Sequence, residues 1–237
     1  MQGKLIVFEG IEGCGKTTQL QLLFDWLQSS AELRSLQASQ LVAGVVKTRQ
    51  PGGTYLGAQL RQILLQPQDS EQIQPTAELL LYAADRAQHI DEMIRPCLAA
   101  GYLILCDRFT ASTLAYQGYG RGLSLSLIEQ LNQIATGGVK SDLTLWLKLD
   151  VAVGLDRTRQ RGLTDRMEQA DLSFHRRVQQ GFEDLAQSNA HTTQVIEAKD
   201  SQTAIAQHIQ SILQAKLSQW YPLPSSLSSA NPKPSNF

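Results

Sequence analysis

The sequence predicts an α/β protein with a parallel sheet covered by helices, and three observations carry that expectation. Five short apolar runs, at 4–9, 41–48, 102–106, 143–149 and 194–197, have the length of strands rather than helices. Several are unbroken instead of alternating in polarity, as strands buried on both faces should be. Helix-length segments at 16–28, 56–65, 76–99, 124–135, 151–159, 168–187 and 201–219 separate the runs, which implies βαβ units with helices on both faces of the sheet.

Composition narrows the class. The chain has 237 residues, 42% hydrophobic and 18% charged, enough for a sizeable core. A formal net charge of −1 gives no reason to expect a nucleic acid polymer or a membrane surface as partner. No apolar run approaches the roughly 20 residues needed to span a bilayer. The opening MQGKLIVFEG lacks a small-residue cleavage pattern and is not read as a signal peptide. Cys14, Cys97 and Cys106 show no CxxC spacing, which fits a reducing cytoplasm better than a disulfide framework.

The first strand leads into Gly10-Ile11-Glu12-Gly13-Cys14-Gly15-Lys16-Thr17, which matches G-x-x-x-x-G-K-[ST] between a strand and a helix. Glycines let successive N–H groups turn inward as an anion nest, and the next helix adds its unpaired N–H groups and positive dipole end. Gly10, Ile11, Glu12, Gly13, Cys14, Gly15, Lys16, Thr17 and Thr18 thus form a phosphate cradle. Lys16 is placed for β/γ-phosphates and the Thr17 hydroxyl for Mg²⁺. Glu12 would repel phosphates if it faced them, so it is expected to turn toward a sugar hydroxyl.

The second strand is followed by Arg49-Gln50-Pro51-Gly52-Gly53, a rigid-then-flexible turn able to present Arg49 over the sheet edge. The long helix 76–99 is expected to bury Leu80, Ala83, Ala87, Ile90 and Ile94. Tyr82 and Arg86 share a face about a quarter-turn away, and periodicity alone reads them as a helix flank. The third strand ends in Asp107-Arg108, at the edge where open α/β sheets place ligands. A guanidinium there suits a second phosphate group better than an attacking water. Ser112, Thr113, Tyr116 and Gln117 fall close enough in sequence to share one surface. Arg157, Arg159, Arg161 and Arg166 cluster around Gly162, as expected of a lid over phosphates at about 157–167. The Pro/Ser-rich segment 219–237 is expected to be a disordered tail on a single domain, 1–218. No NKxD-like motif is present to read guanine, so the loop leaves kinases ahead of GTPases.

Together GIEGCGKTT, TRQPGGT, DRFTASTLAYQGYGRG and the arginines at 157–166 resemble the thymidylate kinase family, from about residue 4 to 214. The resemblance implies a P-loop kinase fold, five parallel strands with an arginine-rich lid, and transfer of the γ-phosphoryl group of MgATP to dTMP in the cytoplasm, commonly by a homodimer. It assigns Arg49 and Arg108 to the acceptor phosphate, and Tyr82 and Arg86 to stacking on and donating to the pyrimidine. It brings Ser112 and Thr113 to the base, Tyr116 against C2′, Gln117 into the nucleoside pocket and Glu12 onto the 3′-OH. Asp107 would hold a Mg²⁺-bound water or fix Lys16, with a structural role equally open. Lys16, Arg108, Arg161 and Arg166 are the expected catalytic residues, with Arg157 next among the lid arginines. Gln50 stands where the family usually has Glu, and it is left out of the site because an amide orients arginines more weakly. Gly13 is an arginine in another branch of the family, one without this basic lid. Rival readings are a kinase for another nucleoside monophosphate and a nucleotide switch without phosphotransfer.

Overall fold

The computed structural model describes residues 3–66, 73–162 and 165–222. Strands β1 (Lys4–Glu9), β2 (Gly44–Arg49), β3 (Tyr102–Asp107), β4 (Leu143–Lys148) and β5 (Thr193–Glu197) form one parallel sheet in the order β2-β3-β1-β4-β5. The strand order reverses beside β1, so the carboxyl ends of β1 and β3 open the crevice in which such sheets hold ligands. The apolar runs are unbroken because both faces are covered. Ile6 and Phe8 pack with Leu20, Leu23 and Leu27 in one core cluster, while Leu5 and Val7, pointing the other way, pack with Ile90 and Ile94 in a second.

The helices are α1 (Lys16–Ser29), α2 (Ala31–Ala38), α3 (Tyr55–Leu65), α4 (Pro75–His89), α5 (Arg95–Ala99), α6 (Thr110–Thr113), α7 (Leu125–Thr136), α8 (Val151–Gln160), α9 (Leu172–Ser188) and α10 (Gln202–Trp220). A π-helical turn, Ile90–Ile94, joins α4 to α5, and another, Leu114–Gly120, extends α6. Side chains of Ser30, Thr54, Ser124, Asp150, Asp171 and Ser201 cap α2, α3, α7, α8, α9 and α10 by accepting from backbone N–H groups. Helix α1 instead starts at Gly15, left-handed at φ 93°, with no side-chain cap. Its first N–H groups stay available to the loop before it.

The sheet and its two-sided cover agree with expectation, and the differences have physical causes. Strand β2 starts at Gly44 rather than 41, and α2 was not expected. Only Leu33 and Leu36 of α2 are buried, too few to show a periodicity. The expected stripe holds at Ile90 and Ile94, both fully buried, but not earlier in the helix: Leu80 is 52% exposed, Ala83 and Ala87 are half-buried, and Glu78, Leu79, Asp85, Arg86 and His89 are buried instead. That face is polar because its side chains pair with groups around the site. The helix expected from 168 starts at Leu172, because the Asp165 carboxylate accepts from the Met167 and Glu168 N–H groups in a tight turn. The boundary at 218/219 also moves: α10 continues to Trp220 and Tyr221 is buried. The rest of the expected tail, 223–237, and Leu163 and Thr164 of the expected lid lie outside the described residues.

Candidate active site

The loop between β1 and α1 turns through Gly10, Gly13 and Gly15 at φ 138°, 70° and 93°. Lys16 folds back over it, its Nζ donating to the Gly10 and Ile11 carbonyls at 3.0 and 2.8 Å. The Thr17 hydroxyl donates to Asp107 Oδ2 at 2.8 Å, so the two expected magnesium-holding oxygens converge. Gly13 is needed for space as well as for its angle, since a Cβ there would lie 2.1 Å from the Gly154 carbonyl of α8. A side chain at 13 would push α8 off the loop. Here one arginine reaches the loop from α8 instead, Arg157, whose Nη1 donates to the Gly13 carbonyl at 3.4 Å.

Arg108 is the hub of the opposite wall. It sits at φ 71°, a left-handed backbone that a non-glycine residue keeps only where surrounding bonds demand it. Its N–H donates to the Phe8 carbonyl at 2.9 Å. Next to it, the buried Glu9 carboxylate accepts from the Phe109 N–H at 2.8 Å, the Ser112 N–H at 3.2 Å and the Ser112 hydroxyl at 2.5 Å. Burial raises the Glu9 pKa, with Ser112 and Arg108 opposing the rise. The Arg108 guanidinium donates through Nη1 to the Gly10 carbonyl and Ser112 Oγ, and through Nη2 to Glu12 Oε1 at 2.9 Å and Tyr116 Oη at 3.1 Å. Its Cζ also lies 4.9 Å from the centre of the Tyr116 ring. Burial works against its charge, yet Tyr116, Glu12 and Asp107 hold the guanidinium protonated well above its usual range. For Glu12, burial is outweighed by Arg108 and Lys16, which keep its carboxyl below the ordinary value.

One cavity of about 570 Å³ connects these walls. Its lining includes Glu12 to Thr18, Arg49, Tyr82, Arg86, Asp107, Arg108, Ser112, Thr113, Tyr116, Gln117 and Arg161. Gly10 and Ile11 contribute carbonyls to Lys16 and Arg108 rather than lining surface. Arg61 lines it too and was missed: burial and the neighbouring Arg49 and Arg108 lower its pKa, the mark of guanidiniums crowded together. Neither Arg49 nor Arg61 has a carboxylate partner among the described residues. The signal for Arg61 was its place two turns into the helix that follows the Pro-Gly-Gly turn, which aims it back at that turn; its Nη1 donates to the Pro51 carbonyl.

Arg86 is only 2% exposed and is held by neutral acceptors, Gln50 Oε1 at 3.0 Å, Asn132 Oδ1 at 2.7 Å and the Phe109 carbonyl at 3.2 Å. Excluding Gln50 from the site was an error, since it lines the cavity and holds Arg86. Burial pulls the Arg86 pKa down to about 10, with Asp85 and Glu9 opposing it. Burial and Glu78 push the Tyr82 phenol up, so its ring stays uncharged.

The lid arginines divide. Arg161 bridges exposed to Glu168 at 3.0 Å, its side chain 63% accessible, and it lines the cavity. Arg159 pairs with Asp156 on the outer surface. Arg166 does not face the cavity, contrary to expectation. Its Nε donates to the Leu64 carbonyl and its Nη2 to Glu78, which is fully buried and also accepts from Arg121 and Gln117. Glu78 thus staples the far end of the expected lid to α4, a role that no sequence spacing announced.

A glycine-built phosphate loop facing a cluster of guanidiniums across one parallel sheet defines a P-loop kinase whose acceptor is itself anionic. The sequence model of the family described as thymidylate kinase matches residues 8–209. The chain is 56% identical over 223 residues to a thymidylate kinase of Trichodesmium erythraeum (strain IMS101), covering 93% of this chain and 99% of that one. It is 57% identical over 229 residues to one of Cyanothece sp. (strain PCC 7425 / ATCC 29141), covering 94% and 98%. The crystal structure of the thymidylate kinase from Ehrlichia chaffeensis superposes with a TM-score of 0.69 at 34% identity, over 90% of this chain and 100% of that one. The chain belongs to the thymidylate kinase family, the ATP-dependent phosphotransferases that act on dTMP.

Proposed function

We propose that the cavity holds ATP and dTMP end to end, and that the chain passes the γ-phosphoryl group between them to give ADP and dTDP through the residues named here. Support comes chiefly from the lining of one cavity by both Lys16 and the guanidiniums of Arg49, Arg61 and Arg108. Loop amides and Lys16 hold the donor's β/γ-phosphates, and the three guanidiniums hold the acceptor phosphate in line. The attacking phosphate oxygen is already anionic, so no strong general base is required. Tyr82 stacks on the pyrimidine while Arg86 donates to its carbonyl edge; Ser112, Thr113 and Gln117 complete the pocket. Glu12 accepts from the sugar 3′-OH, and Tyr116 crowds C2′.

Magnesium fits Thr17 Oγ1 and Asp107 Oδ2, hard oxygens 2.8 Å apart beside the loop. When bound, it supplies neutralising charge on the β/γ-phosphates. Arg161, with Arg157 behind it, swings from Glu168 onto the transferring group as the lid excludes water. Arg166 anchors the lid's far end through Glu78. Chelation by EDTA is expected to abolish turnover, and added Mg²⁺ to restore it.

We further propose that the chain works as a homodimer in the cytoplasm. Helix α4 packs against both α3 and α7, and the three leave Tyr55 82%, Leu80 52% and Ile134 78% exposed, apolar side chains that a second copy would cover. Free Cys14, Cys97 and Cys106 suit a reducing compartment. No helix among the described residues is long and apolar enough to cross a membrane. Sedimentation of the wild type and of Ile134→Glu tests the dimer, which the variant should weaken. A coupled assay over dTMP, dUMP, dCMP, dGMP and AMP tests the acceptor; dTMP should give the highest kcat/KM, and preference for a purine would refute the assignment.

A further inference from the structure

The turn after β2 carries a hydrogen-bond chain with only one consistent direction. Arg86 Nε can only donate, so the Gln50 atom 3.0 Å away must be its oxygen. The Gln50 amide nitrogen therefore faces His89 Nδ1, at 2.9 Å, and donates to it. His89 Nδ1 must then be bare and Nε2 protonated, donating to Thr48 Oγ1 at 2.7 Å. Gln50 and His89 are both buried. The Pro51-Gly52-Gly53 turn closes over the ring so tightly that a Cβ at Gly53 would lie 2.4 Å from His89 Nε2. His89 sits one helical turn beyond Arg86, at the start of the π-helical turn Ile90–Ile94, on the same buried face of the helix.

We infer that Gln50 and His89 are positioning residues for Arg86: the pair aims its guanidinium into the cavity through neutral, directional bonds and leaves its positive charge unpaired for the acceptor's base edge. This rests on the reading of the cavity as the dTMP site. No carboxylate is salt-bridged to Arg86 among the described residues. An amide at position 50 donates on one side and accepts on the other. A carboxylate of the same shape accepts on both sides, so it fits only if His89 Nδ1 carries a proton, moved from Nε2 or added as a second one. The residue at 50 and the protonation of His89 Nδ1 are therefore one coupled choice.

The test uses the full-length protein labelled with ¹⁵N-histidine, with two-bond ¹H–¹⁵N correlation spectra separating bare from protonated ring nitrogens and His89→Gln assigning the signal. The wild type should show bare Nδ1 and protonated Nε2, and Gln50→Glu should protonate Nδ1. Gln50→Met, which cannot hold Arg86, should raise KM for dTMP about tenfold, the equivalent of one charge-assisted hydrogen bond. KM for ATP should stay within about twofold, and Gln50→Glu, which holds Arg86 in place but pairs its charge, should give a KM for dTMP between those of the wild type and Gln50→Met. A protonated Nδ1 in the wild type overturns the inference, as does a Gln50→Met variant whose two KM values rise together or not at all. If the wild type releases no ADP in response to dTMP, the substrate reading fails instead, and the tautomer spectra still judge the hydrogen-bond chain.

Discussion

Replacing Arg108 by Met removes the guanidinium while keeping much of its aliphatic bulk. Two charge-assisted bonds to the acceptor phosphate, each worth about 1.5–3 kcal/mol, amount to about 3–6 kcal/mol. Loss of that stabilisation corresponds to a fall in kcat/KM for dTMP of about 10²–10⁴-fold. The same change strips Glu12 Oε1 of its 2.9 Å ion pair and leaves the carboxylate with Tyr116, His175 Nδ1 at 3.6 Å and a more distant Lys16. The variant should therefore also lose stability, because removing one partner strands a largely buried charge. A second variant, Arg108→Met with Glu12→Gln, separates the effects: the neutral amide should recover thermal stability without recovering transfer. Coupled kinetics with dTMP varied, ATP affinity by calorimetry and thermal unfolding read the three quantities. ATP affinity should change less than about threefold, since its phosphates are held by the loop amides and Lys16. A drop of less than tenfold in kcat/KM, or an ATP affinity weakened as much as that for dTMP, would refute the acceptor role of Arg108.

Gly13→Ala sets a Cβ 2.1 Å from the Gly154 carbonyl at φ 70°, so α8 must shift; a cost of about 2 kcal/mol should lower Tm by about 4–8 °C and cut kcat, as differential scanning calorimetry and kinetics would show. Arg161→Met and Arg166→Met should behave oppositely. The first should lower kcat at least tenfold with Tm unchanged; the second should lower Tm, because it leaves Glu78 buried with less of its charge matched. His89 gives a pH signature. Burial depresses its pKa from 6.5 to about 4, so the unfolded chain binds the proton more readily and stability is lost as pH falls through that window. Urea unfolding from pH 7 to 5 should show this loss, up to about 1.4 kcal/mol per pH unit from this group, and His89→Gln should flatten the slope. An unchanged slope would remove His89 from the account.

The fold and the phosphate loop were legible because each depends on local pattern. Unbroken apolar runs have one economical arrangement, and Gly10 to Thr17 carry their chemistry in consecutive residues. The meeting of Thr17 and Asp107 was legible from a similar cause, since Asp107 ends β3 and Thr17 opens the helix after the adjacent β1. What was not legible rests on polar groups that satisfy one another across distant segments. Helix α4 buries Glu78, Asp85, Arg86 and His89, so a rule that buries apolar residues placed Ile90 and Ile94 correctly but chose Leu80 and missed the polar part of the face. Gln50 was set aside for lacking a charge, yet direction rather than charge is what Arg86 and His89 require of it. Arg161 and Arg166 are indistinguishable in a run of arginines; only the buried Glu78, 88 positions from Arg166 in sequence, decides which one is anchored. The left-handed backbone of Arg108 has no sequence signal either, because Phe8 and Glu9 impose it from another strand.

The most direct trial of two facing anion pockets is a count of products. With ATP saturating and dTMP the sole varied component, ADP should rise hyperbolically from a negligible background and appear in one-to-one ratio with dTDP. ADP release that ignores dTMP, or that proceeds without matching dTDP, would contradict the proposed pairing of the pockets.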